Sequence, residues 1–244
     1  MDESKEYLEW IHESESDLLD FETHYERKEY HRSLYFLQQA CEKLAKATLL
    51  KIKLSSNSQI GLFLKKFGIP ILTSKSYTHN WRKNLLVQLE DFTNNYSFIF
   101  NDVKVPFFGD IKTFFQKAKK MQDNRNPSKD EMYEIMMFCE KMFEIKETKE
   151  FTDELESKLK PLIPFFSTMS NLGSHIQESD DTIKTLMDLI SSAFPLVVLM
   201  MLSTLLTPFE ESRYPNNTNI DTFIPYLEDI RNILERCKLK ITNE

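Results

Sequence analysis

Glycine is scarce, four in 244 residues with nine prolines beside them, so the chain has little of the material that a many-turned β fold requires. Long helices joined by short connections need few of either. Cysteine is scarcer still: Cys41, Cys139 and Cys237 stand far apart with no CxxC pair, and a single disulfide would leave one thiol over. They are expected as reduced, buried thiols of a cytoplasmic protein. Excess positive charge is also missing. Thirty-one Lys and Arg against thirty-eight Asp and Glu give a formal net charge of −7, which excludes a surface coated for non-specific nucleic-acid binding. Any phosphate site must be a local basic face.

The catalytic vocabulary is thin as well. There is no P-loop and no GxGxxG, and the five histidines do not take zinc-ligand spacing with cysteine or carboxylate. Glu13, Glu15, Asp17 and Asp20 lack a DxD-like loop motif and read as the outer face of a first helix. No cofactor and no metal is assigned. The start, Met-Asp-Glu-Ser-Lys-Glu, is charged and lacks the apolar core of a signal peptide, so secretion is not expected.

What is present is apolar residues at helical spacing, within a chain that is 41% hydrophobic and able to bury a sizeable core. Tyr7, Ile11, Ser14, Leu18, Phe21 and Tyr25 line one face of a first helix. Tyr30, Leu34, Leu37, Cys41, Leu44 and Thr48 line a second, whose opposite side carries Phe36, Ala40 and Ala47; this helix is expected to be central. A weakening pattern from Asn94 to Pro106 opens a helical insertion. Within it Phe107 to Met121 keep the step, Ser128 and Glu131 form a capping box for a helix carrying Met132, Ile135, Met136, Cys139 and Phe143, and a third segment starts near Thr152.

The run from Leu189 to Phe209 has no formal charge and is long enough to cross a bilayer. Its internal Ser, Thr and Pro residues, acidic flanks and lack of orienting Lys or Arg predict a buried central helix instead, and no membrane is assigned. Asn216 to Asn219 then offer N-caps for a last helix with Phe223, Leu227, Ile230, Leu234, Cys237 and Ile241 in its buried stripe.

Two separated motifs carry a family resemblance. Gln38-Gln39-Ala40-Cys41-Glu42-Lys43-Leu44-Ala45-Lys46-Ala47, followed by His79-Asn80, resembles the second helix and the start of the next helix in the HEPN (higher eukaryotes and prokaryotes nucleotide-binding) domain family. Ser212-Arg213-Tyr214-Pro215 resembles the element before the last helix of the same family. The resemblance implies an all-α, up-and-down helical bundle, discontinuous over residues 5–92 and 183–240, with a helical insertion at 94–182. It also implies frequent homodimerisation and a cytoplasmic role in nucleotide binding or RNA cleavage within toxin-antitoxin or defence systems, with a minimal nucleotidyltransferase as a possible partner.

The nuclease branch of that family places an Arg five to seven positions before a His, so that cation and imidazole meet one phosphate. His12, His24, His79 and His175 have no Arg at that spacing, and Arg27 precedes His31 by only four. The expected product is a nucleotide-, RNA- or partner-binding module without catalysis. The alternatives are a metal-independent ribonuclease using unusual residues such as His79, His175 or Arg213, and a helical scaffold with no small ligand.

Six residues are candidate ligand contacts. Gln39, Lys43 and Lys46 share a helical stripe that could meet a phosphate or base, although Glu42 and Lys46 also make an ordinary i, i+4 pair and Lys43 fits an exposed position. His79 and Arg82 at a helix start could meet an anion, or could cap the helix and pair with a carboxylate. Arg213 could contact ligand, or could fix the turn with Tyr214 and Pro215. The basic segment Lys112, Lys117, Lys119, Lys120 and Arg125 reads as a solvated helix face, since Phe114 and Phe115 fit its buried stripe.

Overall fold

A computed structural model describes residues 3–55, 126–146, 153, 157, 195–209 and 218–242. The fold is all-α: α1 (Glu3–Glu26), α2 (Tyr30–Ser55), α3 (Lys129–Lys146), α4 (195–205) and α5 (Leu227–Thr242) carry the core, and no strand occurs among the described residues. The chain divides into two compact units. One is Met1–Lys51, Gln116–Phe143 and Phe194–Glu244, and the other is Ile52–Phe115 and Glu144–Ala193. The helical pairings described below lie in the first.

The turn between α1 and α2 is closed by the backbone itself. Lys28 N–H donates to Tyr25 O and Glu29 N–H to His24 O, both at 2.9 Å, the two bonds of a Schellman motif. Lys28 sits at its left-handed position with φ 57°, where a Cβ is unfavourable. Lys28→Gly is therefore expected to raise stability by up to about 1 kcal/mol, read as a higher urea midpoint. An unchanged or lower midpoint would show that the side chain contributes more than the strain.

Helix α2 is central, as its two-sided pattern predicts. Leu34, Leu37, Cys41 and Leu44 are fully buried on one side, Ala40 and Ala47 on the other, where Phe36 is half-buried. Small side chains let neighbouring backbones approach, and the Cys41 thiol donates to Leu199 O of α4 at 3.1 Å. Each buried leucine contributes roughly 1.5–3 kcal/mol relative to exposure. Ser14 and Thr48, the hydroxyl residues in the two apolar stripes, satisfy themselves on the carbonyls of Ile11 and Leu44.

Helix α5 lies antiparallel to α1. Tyr7 donates to Ile241 O, Lys238 meets Glu15, Arg231 meets Glu22 and Tyr25 donates to Glu228, so the partners descend along α5 as they ascend along α1. Lys51 of α2 donates to the same Ile241 carbonyl at 2.7 Å, which places a cation on the C-terminal end of α5. The start of α5 differs from expectation. Asn219 caps the short 3-10 turn Ile220–Thr222, not α5, and a second turn, Ile224–Tyr226, intervenes before Leu227. Pro225 has no N–H to give to an α-helical ladder, so the chain makes tighter turns through it.

Helix α4 carries the described part of the long uncharged run, from residue 195. Leu196, Val198 to Leu202, Leu205 and Leu206 are buried, and Ser203 and Thr204 are buried with them. Thr204 and Thr207 donate to the carbonyls four residues back. No helix among the described residues is long and apolar enough to cross a membrane.

Helix α3 begins with the expected capping box: Ser128 N–H donates to Glu131 Oε2 at 2.7 Å and Glu131 N–H to Ser128 Oγ at 3.2 Å. Ser128→Ala is expected to cost about 1 kcal/mol in a denaturant titration. A loss indistinguishable from zero would mean that water caps the helix equally well. By sequence this helix falls within the insertion expected at 94–182. Through Phe143 it belongs to the first unit, where Arg236 of α5 pairs with Glu140 and lies 4.2 Å over the Phe143 ring. Asn126, just before α3, accepts from Asn219 N–H at 2.8 Å.

The three cysteines come from α2, α3 and α5, and all are fully buried and outside any disulfide. Burial pushes the Cys139 and Cys237 thiols up, away from the reactive thiolate, and the neighbouring sulfur groups act on Cys237 in the same direction.

Candidate functional site

The motif on α2 builds a continuous polar track. Gln39 Nε2 donates to Gln38 Oε1 at 2.6 Å, Gln38 Nε2 donates to Glu42 Oε2 at 3.3 Å, and Glu42 Oε1 meets Lys46 Nζ at 3.2 Å. The spacing 38, 42, 46 places the last three on one stripe of the helix. Gln38 is fully buried, so its two amide bonds satisfy groups that water cannot reach.

Helix α1 closes over this track. Lys43 Nζ stands 2.7 Å from Asp17 Oδ2 and 3.5 Å from Glu13 Oε2, and Lys46 Nζ stands 4.5 Å over the Trp10 ring. The Lys43 side chain is 20% exposed and Asp17 10%, so neither is the solvated surface group that helical periodicity first suggests. Asp17 corrects the reading of the acidic cluster as wholly outward. Burial pushes its carboxyl above the usual range in spite of the Lys43 ammonium beside it.

A second cluster locks the end of the α1–α2 hairpin. Glu29 Oε2 accepts from His24 Nδ1 at 2.6 Å and from Arg32 at 3.0 Å. The His24 ring stacks on Phe36 with centroids 5.2 Å apart. The hydrogen bond from His24, with the Arg32 charge behind it, holds the Glu29 carboxyl below its usual range. Elsewhere His12 is exposed beside Glu15.

Among the described residues no group of three or more His, Cys, Asp or Glu side chains stands close enough to hold a metal ion. Of the six candidate contacts, Gln39, Lys43 and Lys46 come together on α2, each already engaged by a neighbour. His79, Arg82 and Arg213 lie outside the described residues, as do His175 and the basic segment from Lys112 to Arg125.

The span from Trp10 to Lys46 that builds the track is also the part that similarity identifies, since the HEPN domain model matches residues 7–66. Over those residues the chain is similar to a HEPN domain. No curated protein and no solved structure matches it. A HEPN domain suggests nucleotide- or RNA-related function in general terms, and its matched residues here hold both polar clusters, the α2 track and the His24–Glu29–Arg32 lock.

Trp10 and Asp17 were not among the expected site residues, although the sequence carries a signal for both. Trp10 and Asp17 each stand one position before a residue of the apolar stripe, Ile11 and Leu18, and seven positions apart, so both flank that stripe on the same side. A carboxylate beside that stripe marks a buried partner for a cation on the facing helix.

Proposed function

We propose that this protein acts by binding and not by cutting RNA. The single observation behind this is that the charged groups of the motif and of the α1–α2 turn are already spent on the fold: Lys43 on Asp17 and Glu13, Lys46 on Glu42 and Trp10, His24 and Arg32 on Glu29. A phosphorane needs a cation and an imidazole held ready for it, and the sequence places no Arg five to seven positions before any His. On this reading Lys43 and Lys46 clamp α1 to α2, and Gln39 is held by Gln38 on α2 itself. His79, Arg82 and Arg213 stay as the proposed contacts for a nucleotide or an RNA phosphate. A cytoplasmic homodimer working with a minimal nucleotidyltransferase, in a toxin-antitoxin or defence setting, is the context that the family supports.

The purified protein is expected to leave a mixed RNA pool intact in the presence of a chelator. Cleavage abolished by His79→Ala or His175→Ala would overturn that. Nucleotides or short RNAs at about a hundredfold excess over a micromolar Kd are expected to stabilise the protein by roughly 2.7 kcal/mol. If none of them shifts the melting temperature, the compensated lysines favour the second reading, a helical scaffold that meets only protein partners.

A further inference from the structure

We draw no further inference here: the strongest candidate, the outer face of α1 where Leu8 and Leu19 stand exposed next to Glu9 and Asp20, is an apolar pair on an acidic helix, and nothing in the structure shows what covers it.

Discussion

Phe223→Ala is expected to lower the unfolding free energy by about 3–5 kcal/mol. Phe223 is fully buried in the turns before α5, and its ring meets the equally buried ring of Phe209 edge-on, with centroids 5.2 Å apart and an interplanar angle of 87°. Phe209 closes the short 3-10 turn Thr207–Phe209 after α4. The pair therefore ties the exit of one core helix to the approach of the next. Truncation removes the transfer energy of an aromatic side chain, leaves a cavity and forfeits the edge-to-face contact, itself worth about 0.5–1.5 kcal/mol. Against a typical total of roughly 5–15 kcal/mol the loss is large. Urea titration should show a lower midpoint at unchanged slope, and Phe223→Leu should recover most of it. A loss below about 1 kcal/mol would mean that the turn can collapse onto the gap.

That contact illustrates which parts of the fold are legible in the sequence. The buried stripe of α5 from Leu227 to Ile241 is visible as a period, and so is the burial of α2, because apolar residues at steps of three and four fit one face of a helix; Phe223 keeps the step but lies in the turns before it. Ser128 and Glu131 announce the start of α3 because a capping box is a local device whose partners lie three residues apart. The left-handed position at Lys28 was not legible, since nothing but glycine or asparagine signals it. The late start of α5 could have been, because Pro225 stands within the expected helix.

Partners across helices are harder to read. The stripe of α3 is plain, but an apolar stripe does not name the helix that it packs against; the pairing of Glu140 and Phe143 with Arg236 emerges only in three dimensions. The same holds for the candidate site. Gln39, Lys43 and Lys46 were found by motif and Glu42–Lys46 by spacing, whereas Asp17 and Trp10 are far from them in sequence and change what the lysines do.

Lys43→Met tests that change most directly, and its expected signature is a penalty that depends on pH. The substitution keeps an apolar stem and removes the ammonium, leaving Asp17 with its charge in a site where it is only 10% exposed. Loss of one partner from such a pair is expected to cost about 1–3 kcal/mol at neutral pH. The sign of the pH dependence follows from the raised carboxyl. In the folded protein Asp17 takes up its proton at higher pH than in the unfolded chain, so the burden of its charge is fully present above the folded-state value and relieved as pH falls through it. Without the Lys43 ammonium that opposes the shift, the window moves higher still. The difference between variant and wild type should therefore shrink from neutral pH toward about pH 4, where Asp17 is increasingly neutral. Adding Asp17→Asn to Lys43→Met should remove most of the pH dependence, since the charge itself is then absent. An equal penalty at both pH values would mean that Lys43 contributes through packing alone, and its amine would again be available to an anionic ligand.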